Sequence, residues 1–275
     1  MRPENMHGGF CWSPSQRIFA GISFAMILAF AATLAFWAVD PRVIDGVSVW
    51  AKPLKFELAL AVHAGTLALV VSRLSASPQT RTSLLGVALV FLAASTIEMG
   101  WIIFQAAQGQ HSHFNDSSAF HRAMFSVMAF AAIIITGTAA VIAKVVWRDA
   151  DFAAGAAVKS GILLGLIGGT ILTLVTAFAI GAMGSPYVGG VPLLTSRMTF
   201  SGWSLIGGDL RVPHFLSTHM MQAVPIAALL ASNLQGRHLA NPLVYGFAAF
   251  WVVWTLMEFG MALSGQPAVF LTRYS

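Results

Sequence analysis

The chain has 275 residues, of which 57% are hydrophobic and only 9% charged, with a mean hydropathy of +0.77. A soluble domain carries about 25% charged residues, so this composition excludes a soluble globular protein and marks an integral membrane protein. The formal charge of +5 does not point to nucleic acid: the lysines and arginines fall in loops and at helix ends, where the headgroups of a lipid bilayer suffice as partners.

Apolar runs of roughly twenty residues, enough to cross about 30 Å of hydrocarbon, are predicted at 18–39, 54–72, 84–106, 121–147, 159–182, 214–234 and 242–264. Spanning elements must satisfy their own backbone hydrogen bonds, and nothing here alternates as a barrel strand would. The expected fold is an all-α bundle of seven transmembrane helices, one membrane domain over 1–275. The first run is too long for a signal-peptide core and Glu4 interrupts the basic leader, so it is expected to be retained, with the mature chain starting near Met1. Cys11 is the only cysteine, which excludes an intrachain disulfide.

The second run opens at Lys52-Pro53-Leu54-Lys55, carries Glu57, and sets His63 roughly 12 Å below Lys55. The third runs back and places Glu98 about 15 Å from the same surface, with Ser95 and Gln105 on its stripe. The following loop holds His111 and His113, and His121-Arg122 opens the fourth run; loop histidines beside Asn and Asp are most simply solvated. Gly161, Gly165, Gly168 and Gly169 in the fifth run form a small-residue stripe for close helix packing, and Thr170, Thr173 and Thr176 offer a deeper polar stripe.

The stretch 183–213 is long, glycine-rich and aromatic, with Tyr187, Phe200 and Trp203. It is expected to be an ordered cap in which Asp209 and Arg211 pair across a turn. In the sixth run His214 sits at the mouth, while His219 and Gln222 face inward together; the five-residue gap between the histidines is not a zincin pair. Pro225 is the proline well inside a span, whereas Pro41, Pro53, Pro78, Pro213, Pro242 and Pro267 fall near boundaries. The seventh run carries Glu258 one turn beyond Trp254 and Thr255. Trp37, Trp50 and Trp101 are placed at one interface and Trp147 at the other, as an aromatic belt.

Imidazoles and carboxylates are costly in hydrocarbon, and their gathering toward one face suggests a working site. His63 and His219 are the expected cofactor-binding pair, as axial ligands of a haem b. With a bare divalent metal instead, Glu98, Glu258, His214, His121 and His113 are the candidate ligands for redox or metal-assisted chemistry. Gln222, Asp209, Arg211 and Lys55 are the candidate substrate-binding groups, for an anionic or quinone-like small molecule. Two other readings stand beside this one: a proton- or cation-coupled carrier or channel using Glu98, Glu258 and His63 with 183–213 as gate, and a structural or partner-binding membrane protein. The polar groups stop halfway across the bilayer, which counts against transport.

Eight cations (Arg2, Arg17, Arg73, Arg81, Lys144, Arg148, Lys159, Arg237) fall on the N-terminal side and seven (Arg42, Lys52, Lys55, Arg122, Arg197, Arg211, Arg273) on the other. Discounting those in the long loop gives a cytoplasmic N-terminus.

The segments Trp50-Ala-Lys-Pro-Leu-Lys-Phe56, Gln108-Gly-Gln-His-Ser-His-Phe-Asn115 and Gly207-Gly-Asp-Leu-Arg-Val-Pro-His-Phe-Leu-Ser-Thr-His-Met-Met-Gln222 are similar to recurring motifs of an uncharacterised family of bacterial multi-pass membrane proteins. The resemblance spans most of the chain and implies a bacterial inner membrane, with no activity attached. Rhodopsin-like pigments do not fit, because the last run has no lysine for a Schiff base. Ceramidase-like hydrolases do not fit the five-residue histidine gap.

Overall fold

The computed structural model describes residues 12–75, 77–199, 201–233 and 237–270. Met1, Arg2, Glu4, Cys11, Phe200 and Arg273, which entered the sequence reading, lie outside the described residues, as does the side chain of Arg237.

Seven helices are long and apolar enough to cross a membrane: α1 (Pro14–Val39), α2 (Ala51–Val71), α3 (Pro78–Ala107), α4 (Ala119–Arg148), α5 (Ala156–Met183), α6 (Arg211–Asn233) and α7 (Arg237–Leu263). The protein is therefore a multi-pass all-α membrane protein. Most helices start three to six residues before the apolar runs, because the stop signals are polar caps outside the hydrophobic window. Ser13, Ser77 and Ser118 accept backbone N–H bonds from Gln16, Thr80 and His121 at the starts of α1, α3 and α4. Pro14 and Pro78 occupy the first helical positions, where a missing N–H costs nothing. Because α7 begins at Arg237, Pro242 lies inside it rather than at its edge.

Two helix ends reverse the chain with a left-handed glycine. At the end of α3, Gly109 (φ +67°) lets the N–H of Gln110 reach the carbonyl of Gln105. At the end of α7, Gly265 (φ +75°) lets Gln266 reach Met261. Both are Schellman caps, and both turn a non-helical segment back along the helix it has just left.

The most extensive helix contact is α5 against α6, followed by α1 against α2. The α5–α6 contact is made by the glycine stripe: a methyl group on Gly161, Gly165 or Gly169 would meet Ala228, Pro225 or Met221 at 2.4, 2.7 and 2.5 Å. The Pro225 ring thus lies against a helix that has no side chain opposite it. Helix α2 is the most buried of the seven and packs on α1 and, more sparsely, on α3, α6 and α4. The main apolar core, including Leu67, Leu84, Phe91, Met128, Ile142 and Leu166, ties α2, α3, α4 and α5 together.

Between the helices on the face where α2 and α6 begin lie two small hairpins. β1 (Val43–Ile44) and β2 (Val47–Ser48) pair across Asp45-Gly46, both at positive φ, the two-residue turn that Asp-Gly favours. β3 (Tyr187–Val188) pairs with β4 (Gly208–Asp209). With a 3-10 turn at Leu194–Ser196 and the bridge Arg197–Ser204, β3 and β4 make the stretch between α5 and α6 an ordered cap. The cap is stitched down by Trp203 against Phe215 and Phe270, at centroid distances of 5.3 and 6.1 Å.

Candidate functional site

The cap is held by the charges that the sequence assigned to substrate. Asp209 is 3% exposed; its oxygens accept from the backbone of Ser204 and Arg211 and from the Arg211 guanidinium at 2.6 and 2.9 Å. Arg211 also donates to Gly202 O and Tyr187 Oη and lies over the Tyr187 ring. Lys55 donates to Ser201 O at 2.8 Å, crossing from α2 to the cap. These groups bond the roof to the bundle, and Gln222 of the same expected set lies apart from them beside His219.

Beneath the roof, Lys52, Phe56, Ala59 and His63 follow one another along α2 at helical spacing. Lys52 lies over the Phe56 ring and acts electrostatically on Glu98 of α3. Glu98 is 4% exposed; its Oε1 is 3.7 Å from His113 Nε2, and its Oε2 has no partner among the described residues.

His113 reaches that depth because the segment after α3 does not stay at the surface. Gln105 donates to His111 O and Trp101 to Ser112 O, so the chain descends along the Gln105–Trp101–Glu98 face of the helix it has left. Non-helical backbone at such depth is tolerated where protein covers it. Burial and the charge of Lys52 push the His113 imidazole down to about 3, so its contact with Glu98 is not an ion pair at neutral pH. His111 stays exposed, 3.4 Å from Asp45. His121 bonds Ser118 and rests on Trp101, in the first turn of α4.

Three further imidazoles stand on α2 and α6. His63 is 6% exposed, lies about 18 Å below the start of α2, and bonds Ile135 O of α4 through Nε2 at 3.3 Å, leaving a buried Nδ1 with no partner among the described residues. His219 on α6 is within electrostatic reach of both His63 and His214. His219 Nδ1 lies 3.3 Å from Gln222 Oε1 and its ring packs on Phe215. His214 Nδ1 lies 3.0 Å from Thr176 Oγ1 of α5, which gives part of the threonine stripe a polar role. His63 and His219, the expected cofactor pair, stand on two helices that are in contact, α2 and α6.

Among the described residues no three His, Cys, Asp or Glu side chains gather to hold a metal ion. Glu98, Glu258, His214, His121 and His113, the residues expected to hold one, each have other partners. Glu258 is occupied by Trp254 Nε1 and the backbone N–H of Val269, holding the returning C-terminal segment against α7. His121 belongs to the α4 cap, and Glu98 meets His113 under the charge of Lys52.

Two further readings from sequence change. Trp50 and Trp101 do not stand in a lipid belt: Trp50 is 6% exposed and donates to Asp40, and Trp101 holds the re-entrant segment. Glu57 faces α1 instead of the site, where its Oε1 accepts from Thr33 at 2.7 Å. The sequence reading missed the re-entrant descent of 109–113, whose only signal was the glycine after Gln108.

On either side of the α2–α6 contact the helices keep apolar side chains exposed: Leu58 and Val62 on α2, Phe215 and Ile226 on α6. His219 and Gln222 are half-buried between them. Compared with protein-family models, curated proteins and solved structures, the chain matches none, so its function is argued from this geometry alone.

Proposed function

We propose that this membrane protein binds a small lipid-soluble molecule of the quinone class between α2 and α6, with His63 and His219 meeting its polar head and Gln222 beside them. One observation carries the reading: the deeply buried His63 imidazole keeps a ring nitrogen with no partner among the described residues, on a helix that packs against α6, which carries the half-buried His219 and Gln222. A polar group so placed in hydrocarbon calls for a partner. The exposed apolar flanks of α2 and α6 suit entry from the lipid, and the cap closes the site from above. Below His63 the core is apolar, which favours a one-sided site over a transport route.

A second reading, a haem held by the same two imidazoles, is supported by the unpartnered Nδ1 of His63. It is weaker because His63 already bonds through Nε2 and would have to ligate through Nδ1, where its own Cβ crowds a flat macrocycle.

The test is protein purified in mild detergent, its absorption spectrum, and chromatography of the lipids it retains. A co-purifying quinone that is lost in His219→Leu supports the proposal. A Soret band supports the haem. No retained quinone, together with no binding of a short-chain quinone or hydroquinone, overturns it.

A further inference from the structure

A groove between α1 and α2 opens at the face opposite the cap, on the flank of α2 turned away from His63. Its volume is about 680 Å³, within the range of about 300–1,000 Å³ usual for small-ligand sites. The groove exists because side chains are small where the helices meet. Ala20 on α1 and Gly65 and Ala68 on α2 form its floor, while Phe24, Ile27 and Leu69, each more than half exposed, form its rims. From Gln16 to Ile27 it follows α1 for about 16 Å, roughly half of a hydrocarbon core about 30 Å thick. It is one leaflet deep, with its apolar end toward the bilayer centre.

The surface end is polar, and its polar groups lack partners. Arg73, just past the end of α2, is exposed. Its guanidinium makes one contact at the limit of hydrogen-bond length, 3.5 Å to Ala153 O, and pairs with no carboxylate among the described residues. Gln16 is 8% exposed. Ser13 and Gln16 have the spacing of a capping box, in which the Gln16 amide would return to the backbone N–H of Ser13. That bond is not made; the Gln16 side chain lines the groove with no hydrogen-bond partner among the described residues. Trp12 stands beside it, 43% exposed, as interfacial indoles do.

We propose that this groove holds one anionic phospholipid, its phosphate bonded by Arg73 and Gln16 and one acyl chain lying on Ala20, Gly65 and Ala68. A guanidinium presents paired N–H donors that match phosphate oxygens, and the amide NH2 adds another donor. Basic pockets between membrane helices take anionic headgroups, whereas a zwitterionic lipid brings its own cation toward Arg73. The site stands apart from the one between α2 and α6 and does not depend on it.

The experiment is native mass spectrometry of the full-length protein in mild detergent, with added phosphatidylglycerol or, separately, phosphatidylcholine of the same chains. Phosphatidylglycerol is expected to give a one-to-one adduct at about fivefold lower lipid concentration, the factor carried by one cation at the membrane surface. Arg73→Gln is expected to abolish that preference. Arg148→Gln, which removes an exposed cation of the same face outside the groove, is expected to keep it. Ala20→Leu, which fills the floor, is expected to weaken retention of both lipids. Equal retention of the two lipids by the native protein, equal losses in Arg73→Gln and Arg148→Gln, or native-level retention in Ala20→Leu overturns the proposal. Dimers in place of lipid adducts overturn it in favour of a second copy of the chain, and the absence of any adduct overturns it outright.

Discussion

At the scale of single residues, His113 shows how a loop histidine becomes an interior one. Nothing in Gln110-His-Ser-His-Phe114 distinguishes His111, which is exposed, from His113, which lies beside Glu98; the difference is the direction the chain takes after Gly109, a backbone property. Burial depresses the His113 imidazole to about 3 in the folded protein, below its ordinary value near 6.5. The unfolded chain therefore binds the extra proton between these limits. The contribution of His113 is complete above pH 6.5 and is lost progressively as the pH falls toward 3. Lower hydrogen-exchange protection of residues 108–118, relative to the intrinsic exchange rate at each pH, is expected as the pH falls through that range, with a flatter profile in His113→Leu; an unchanged profile would contradict a buried neutral His113. Asp209 belongs to the same scale. Asp209→Asn leaves the half-buried Arg211 guanidinium with its hydrogen bonds but no counter-charge, and losing a charge-assisted hydrogen-bonded partner costs about 1–3 kcal/mol. A clearly lower thermal unfolding temperature in detergent is expected, and unaltered unfolding would show that Arg211 is served by other groups.

Elements show which sequence signals were sufficient. The glycine stripe of α5 was legible as packing because three or four residues of separation put small residues on one helix face, and α6 is the helix that meets them. Gly169→Val would drive its side chain into Met221 and the α6 backbone; overpacking of this kind costs about 1–3 kcal/mol, measurable as a lower unfolding temperature. Gly208 is a sharper case that periodicity does not reveal. A methyl group there would lie 2.1 Å from the carbonyl oxygen of Ala262, so β4 can dock on the end of α7 only without a side chain. Gly208→Ala is expected to release the cap and expose residues 184–210 to limited proteolysis while the seven helices remain; protease resistance equal to the native protein would mean that the backbone gives way elsewhere. The Asp45-Gly46 hairpin was readable in principle, since Asp-Gly between β-branched residues is a strong turn signal.

For the whole molecule, a tag on the N-terminus tests the orientation that the cation balance suggests. Protection of the tag in intact cells, with access only after permeabilisation, is the expected result, and the reverse would move the capped face to the cytoplasmic side. The sequence by itself determined the solvent, the helix count and the approximate spans, because twenty apolar residues have one way to cross hydrocarbon. It also determined that polar groups collect toward one face, since their depth follows from counting residues along a helix. Only the tertiary structure decided which of them meet. A residue's azimuth on its helix says nothing about which helix stands opposite, and that is why His63 bonds the backbone of α4, Glu98 takes His113, and Glu258, at a comparable depth, turns instead to the backbone of Val269.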